Sequence, residues 1–248
     1  SAITQNTSVA DLRKMIEKRE KHTIDESFRS WVDSWPVKAF RFILDSLVFI
    51  PLLKTVITLR REGMENLATL HGPVIFIANH VSYLDVFVFL WSLPLRFRYT
   101  TAPAAGDFLF FNDKSGLIKK FIGRCMFEYC SFYAMTFLVG KQQAFRKTLV
   151  HMGKLIDRKR SIFIFPEGER SWDGKLKAFQ PGLGIMVKEL KVPIVPVKLI
   201  GPEEIWPRGK FIQKRGSVKV VFGKPLRFTT EIPSEMLEKS YQAINDLN

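Results

Sequence analysis

Residues 74–85 read Val-Ile-Phe-Ile-Ala-Asn-His-Val-Ser-Tyr-Leu-Asp, and residues 161–171 read Ser-Ile-Phe-Ile-Phe-Pro-Glu-Gly-Glu-Arg-Ser. Each opens on a short apolar run of strand length and then turns abruptly polar. A buried strand that ends in a charged turn is how parallel α/β sheets present reactive groups, beyond the carboxyl ends of their strands. Further strands are predicted at 98–102, 135–139, 194–200 and 217–222, with helical patterns near 85–93, 115–125, 142–159 and 182–190. This alternation predicts an α/β fold with a mostly parallel central sheet covered by helices.

The first turn offers an imidazole and a carboxylate. His80 and Asp85 lie five residues apart, about 140° around an ideal helix. They meet only if His80 stands in the turn and Asp85 in the first helical turn after it. The carboxylate then accepts the proton-bearing ring nitrogen and leaves the other nitrogen as a base. Such a pair, with no protein nucleophile beside it, suits activation of a substrate hydroxyl. Ser82 reads as a turn or cap residue. A histidine hydrogen-bonded in a loop is the ordinary alternative.

In the second turn Pro166 and Gly168 force an irregular path, and Glu167, Arg170, Lys175 and Lys177 supply charge. Arginine favours a forked grip on phosphate; a surface turn with an internal ion pair is the plainer reading. A third stretch, Val192-Pro-Ile-Val-Pro-Val197, carries Pro193 and Pro196 in a strand pattern. Proline there predicts an edge strand or a bulge. Its apolar residues would line an alkyl channel or belong to an ordinary core strand.

The N-terminal quarter differs. Residues 30–61 crowd Trp31, Trp35, Phe40, Phe42, Ile43, Leu47, Val48, Phe49 and Leu52 around Arg41, Asp45 and Lys54. The three charges would be costly at mid-bilayer, and Pro51 would kink a helix. Two short amphipathic helices lying in a membrane interface are expected, with Lys38, Arg60 and Arg61 near lipid phosphates. A helical hairpin packed on the domain core is the alternative. Residues 1–29 are a polar helical lead-in, and residues 62–248 are assigned to the α/β domain.

The whole chain has 248 residues, a net charge of +14 and 22 phenylalanines. Such basicity points to an anionic partner: nucleic acid, anionic lipid or a phosphorylated substrate. The apolar bulk favours anionic membrane lipids, although a Phe-rich core accounts for part of it. No zinc-finger spacing or aromatic–basic pattern supports nucleic acid. Cys125 and Cys130 lie in an apolar run and read as buried small hydrophobes.

Taken together and in this order, the three segments resemble the glycerolipid acyltransferase family, which includes the 1-acylglycerol-3-phosphate (lysophosphatidate) acyltransferases. The resemblance covers residues 60–228. Asn79 to Asp85 matches that family's Asn-His-x-x-x-x-Asp motif, which implies His80 and Asp85 as the catalytic dyad. Residues 165–171 match its Phe-Pro-Glu-Gly-Thr-Arg-Ser motif and residues 192–197 its Val-Pro-Ile-Val-Pro-Val motif. The resemblance thereby implies Asn79, Glu167, Gly168, Arg170, Ser171 and Pro196 as substrate-binding residues. Glu169 stands where the family has Thr. In place of a family Arg, Phe-Leu-Val-Gly-Lys at 137–141 offers Lys141 to the acceptor phosphate, with Arg146 as the substitute.

The implied activity moves a fatty acyl group from an acyl thioester to a hydroxyl of a glycerophosphate lipid, foremost lysophosphatidate. His80 would act as general base and no acyl-enzyme would form. Oxyanion donors are expected from backbone amides after Ala78 or around Val195. No metal or redox cofactor is implied; the donor substrate is an acyl-CoA or an acyl-carrier protein. Residues 7–12, Thr-Ser-Val-Ala-Asp-Leu, resemble the last helix of an acyl-carrier domain, which would make residues 1–29 the remnant of a fused carrier. The expected location is peripheral or monotopic on the cytoplasmic face of a membrane. An acyl-thioester hydrolase, in which His80 activates water, and a non-catalytic membrane lipid-binding domain are the rival readings.

Overall fold

A computed structural model describes residues 34–106, 136–139, 145–207 and 214–248. The lead-in over 1–29, the helix expected at 115–125, both cysteines and Lys141 lie outside the described residues.

The described chain begins with helix α1 (Trp35–Leu44), a π-helical turn (Asp45–Phe49) and helix α2 (Ile50–Val56). Where two separate helices were expected, the three pieces run on as one helical segment. Pro51 lacks an N–H and crowds the carbonyl four residues back. The wider π turn just before it, in which the Ile50 amide bonds to the Asp45 carbonyl, absorbs that mismatch.

Strand β1 (Ile57–Glu62) and short helix α3 (Glu65–Ala68) follow, then β2 (Ile75–Ala78), α4 (Asp85–Ser92), α5 (Leu95–Arg98) and β3 (Thr101–Gly106). After them come β4 (Phe137–Val139), α6 (Phe145–Asp157), β5 (Ser161–Ile164), α7 (Gly182–Leu190) and β6 (Ile194–Ile200). The chain closes with α8 (Pro202–Ile205), β7 (Gly216–Phe222) and α9 (Pro233–Asn245). The sheet has seven strands in the order β1-β7-β6-β2-β5-β3-β4. Every pairing is parallel except β6 with β7. The expected α/β architecture is therefore present.

Period-two alternation divides the core into two layers. Phe76, Ala78, Phe163, Val195 and Val197 face one layer, with α4. Ile75, Ile77, Ile162, Ile164 and Ile194 face the other, with α6, α7 and α9. Phe89 of α4 stacks on Phe163 at 3.7 Å and meets Phe76 edge-on at 5.2 Å, so that helix is seated over β2 and β5.

Three expectations change. Residues 57–61, assigned to the membrane-associating segment, instead belong to β1, whose register pairs Ile57 with Gly216 through to Glu62 with Val221. The strand expected at 98–102 starts three residues later, because Leu95 to Arg98 close one helical turn. Strand β6 is interior, between β7 and β2, not at an edge. Its prolines are accommodated separately. Pro193 stands ahead of the strand and gives its carbonyl to the Ile75 amide at 2.9 Å. Pro196 falls at a register change: Ile194 bridges to Leu226, whereas Val197 pairs with Phe222. Two residues there face three, and the missing N–H of Pro196 lies in that irregular stretch while its carbonyl accepts from Gly223 at 2.8 Å. The bulge half of the expectation is thus the one realised.

Candidate active site

Neighbouring parallel strands bring the two motif turns together. Ile77 of β2 is registered with Ile164 of β5, and three more residues along each strand place His80 beside Glu167. The His80 amide donates to Glu167 Oε1 at 2.7 Å, and the Ser171 amide donates to the His80 carbonyl at 2.7 Å. The second turn is therefore fastened to the first on both sides of His80.

His80 stands in the turn and Asp85 is the first residue of α4. Their side chains meet, Nδ1 of His80 lying 2.8 Å from Oδ2 of Asp85. That oxygen also accepts the amides of Val81 at 2.7 Å and Ser82 at 2.8 Å. Asp85 is fully buried, and its charge is held by these donors and by the positive end of α4. At the other end of α4, Arg98 donates to the carbonyls of Leu90, Trp91 and Leu93, so an opposite charge caps each terminus. The His80 ring is stacked on Phe165 at 3.9 Å with 12° between planes. With one face covered and Nδ1 engaged, the partly exposed imidazole presents Nε2.

Glu167 is buried and both its carboxylate oxygens accept main-chain amides, from His80 and from Lys177 at 2.9 Å. Burial, helped by the nearby Asp85, pushes its pKa up to about 7 against the pull of those amides. Gly168 has φ +75°, which glycine adopts without strain; a Cβ there would meet the Gln180 side chain at 3.3 Å. Gln180 in turn donates from its main chain to the Pro166 carbonyl and from Nε2 to the Glu167 carbonyl. Ser171 spends its hydroxyl on Asp173 at 2.8 Å. The Arg170 guanidinium carbon sits 3.5 Å over the ring of Tyr83.

Several residues read as substrate-binding are occupied otherwise. Asn79 is buried; its Nδ2 donates to the Leu199 carbonyl at 2.9 Å and its Oδ1 accepts the Leu199 amide at 2.8 Å. It extends the β2–β6 ladder past the strand end. Pro196 lies inside the sheet. Ser82 donates its hydroxyl to the Trp206 carbonyl and accepts the Leu84 amide, as a turn residue does. The 80–82 amides expected to serve an oxyanion are all committed to carboxylates, and Val195 is a fully buried strand residue. Arg146 is exposed at the start of α6.

Residues 58–200 match the family described as Acyltransferase. This chain belongs to that family. The resemblance carried by its motifs, to the glycerolipid acyltransferases, holds. A chloroplastic 1-acyl-sn-glycerol-3-phosphate acyltransferase of Brassica napus is 30% identical over 187 residues, 73% of this chain and 47% of that protein. Its counterpart from Arabidopsis thaliana is 30% identical over 171 residues, 66% of this chain and 42% of that protein. The chain thus spans less than half the length of these curated relatives. The crystal structure of the 1-acyl-sn-glycerophosphate acyltransferase PlsC from Thermotoga maritima shares the fold, with TM-score 0.56 and 21% identity over 92% of this chain and 80% of that one.

Sequence reading placed Tyr83 and Phe165 within the two motif turns without giving either a role, and did not find Gln180 or Trp206. Phe165 was visible as the residue opposite Ala78 once β2 and β5 are neighbours. Gln180 and Trp206 carry no local signal, because their contacts depend on loops folding back over long separations.

Proposed function

We propose that this chain acylates lysophosphatidate to phosphatidate at a membrane surface, using an acyl-CoA or acyl-carrier-protein thioester. The observation that carries the reading is the 2.8 Å contact between His80 Nδ1 and the buried Asp85 carboxylate. Nε2 takes the proton of the acceptor hydroxyl as its oxygen attacks the thioester carbonyl carbon. The new C–O bond forms, the tetrahedral intermediate collapses with loss of the C–S bond, and imidazolium Nε2 returns the proton to the thiolate. Asp85 fixes the tautomer and offsets the imidazolium charge. No side chain is acylated; Ser82, the nearest hydroxyl in sequence, is committed to Trp206. Arg170 takes the acceptor phosphate, joined by Lys141, and Glu167 orders the turn that carries Arg170.

The membrane role rests on α1 and the π turn after it, whose amphipathicity is inverted. In α2, Ile50, Leu53 and Val56 pack on the core and Lys54 is exposed, with Leu52 adding to the outward apolar face. Arg41 and Asp45 are 2% and 5% exposed, turned into the protein, whereas Trp35, Leu47 and Leu52 are 80%, 72% and 60% exposed. Asp45 accepts the Tyr99 hydroxyl at 2.7 Å, and Arg41 lies 5.7 Å over that ring. Charges that would be costly in lipid are thereby sheltered, and an apolar face is offered outward. Among the described residues no helix is long and apolar enough to cross a membrane. The outward apolar face supports a peripheral or monotopic placement, and the charge of +14 suits the anionic cytoplasmic leaflet.

The test is a panel of acyl thioesters against lysophosphatidate, glycerol 3-phosphate and other lysolipids on anionic vesicles, with His80→Ala as the blank. Phosphatidate formed only with lysophosphatidate and only by the parent protein is the expected result. Thioester consumption indifferent to any acceptor would mark a hydrolase and overturn the proposal.

A further inference from the structure

Tyr83 occupies one of the four variable places between His80 and Asp85, and the dyad does not use it. Two side chains pack on its ring, and the residue is otherwise 43% exposed. The guanidinium carbon of Arg170 lies 3.5 Å over the ring, and Trp206 meets it at 5.2 Å between centroids with planes tilted by 38°. The three side chains come from three separate segments: the turn after β2, the turn after β5, and the residue that follows α8. Ser82 ties the first and third together by donating to the Trp206 carbonyl at 2.7 Å. Arg170 is thus packed against a ring that Trp206 also contacts.

We propose that Tyr83 is a positioning residue for acceptor recognition: its ring, itself in contact with Trp206, holds the Arg170 guanidinium in the plane from which it grips the phosphate of the acceptor lipid. The proposal rests on the reading above that Arg170 binds that phosphate. Stacking engages the face of a guanidinium, and its N–H groups radiate in its own plane, the direction from which phosphate oxygens approach. Arginine carries large rotamer freedom, so a ring that fixes the plane lowers the ordering cost of binding. The same contact limits the reach of Arg170 to phosphates close to the His80 turn, because Tyr83 is only three residues from His80. An acceptor whose phosphate lies at another distance from its hydroxyl would lose either the grip or the alignment with Nε2.

Steady-state kinetics with lysophosphatidate in mixed micelles test this, using whichever of acyl-CoA or acyl-carrier thioester the parent protein turns over. Tyr83→Leu is expected to raise KM for lysophosphatidate about three- to tenfold, with kcat within about twofold and the thioester KM unmoved. Tyr83→Phe, which keeps the ring and drops only the hydroxyl, is expected to restore the parent's KM. In an Arg170→Ala background, Tyr83→Leu should add nothing further. Tyr83→Leu without effect on KM, a fall confined to kcat, or Tyr83→Phe as impaired as Tyr83→Leu would each overturn the proposal. Arg170→Ala distinguishes the layers. A raised KM there beside an unmoved one in Tyr83→Leu sinks the stacking role alone. An unmoved KM in both sinks the phosphate reading as well. Should Tyr83→Leu unfold the chain, Tyr83→Met keeps the volume without the ring and answers the same question.

Discussion

The main-chain amide of His80 donates to Oε1 of Glu167 at 2.7 Å across 87 residues of sequence. Because Oε2 of the same carboxylate holds the Lys177 amide, one buried side chain fixes both the base and the turn that carries Arg170. Glutamine at 167 offers one acceptor where two amides need one each. Glu167→Gln is therefore expected to cost about 1–3 kcal/mol at pH 8. The variant should also change the pH dependence. The folded-state pKa of Glu167 is raised to about 7 from an ordinary 4.5, so the folded state holds this proton more tightly. Its contribution to stability is full below pH 4.5, declines between there and about 7, and is absent above. The parent should gain up to about 3 kcal/mol from this group on going from pH 8 to pH 4.5, and Glu167→Gln should not. Urea midpoints of both proteins at several pH values measure the difference; parallel curves would show that burial does not hold the proton.

Asp85 has three donors on one oxygen, two of them main-chain amides. Asp85→Asn preserves the shape but removes the charge that supports an imidazolium, and turns one head atom into a donor. A loss of about 10²- to 10⁴-fold in kcat is expected, with vesicle binding unchanged. Turnover near the parent level would remove Asp85 from the chemistry. His80→Ala should lose at least as much, and the two changes together no more than the larger.

Asn79 separates a binding role from a structural one. Its amide replaces a rung between β2 and β6 by pairing with both main-chain atoms of Leu199. Asn79→Ala strands a buried amide and a buried carbonyl, and a loss of about 2–5 kcal/mol is expected. Measured at a temperature where the variant remains folded, KM for the acceptor should stay at the parent's value. A raised acceptor KM in a protein of undiminished stability would return Asn79 to the substrate.

How much of this was legible in sequence depends on whether the information is local. The strand at 194–200 and the helix at 182–190 are found at their predicted bounds, because burial on both faces and 3.6-residue periodicity are written in consecutive residues. The meeting of His80 and Asp85 was readable too, since it needs only a turn followed by the start of a helix. Strand β1 was not: Ile-Thr-Leu-Arg-Arg-Glu over 57–62 is an edge strand with a largely exposed pattern, and the apolar stretch before it masked the change of period. Helix α9 was not read although Met236, Leu237, Tyr241 and Ile244 pack together on the layer beneath, because its remaining positions are mostly polar. The pairing of Asn79 with Leu199 was not legible either, because nothing near Asn79 in sequence shows that Leu199 waits across the sheet.

The inverted helix makes the membrane reading testable without touching the chemistry. If the exposed face of α1 and its π-helical continuation enters lipid, Leu47 at 72% exposure buries nearly its whole side chain there, a transfer of about 1.5–3 kcal/mol. Leu47→Lys should therefore weaken sedimentation with anionic vesicles about tenfold or more. Folded stability should change little, because the side chain touches water in the free protein. The inward face predicts the opposite pattern. Asp45→Leu removes the acceptor of the part-buried Tyr99 hydroxyl, so it should lower the melting temperature by several degrees. A lipid-facing helix of ordinary polarity would reverse these two outcomes, with Leu47→Lys destabilising the fold and Asp45→Leu tightening vesicle binding.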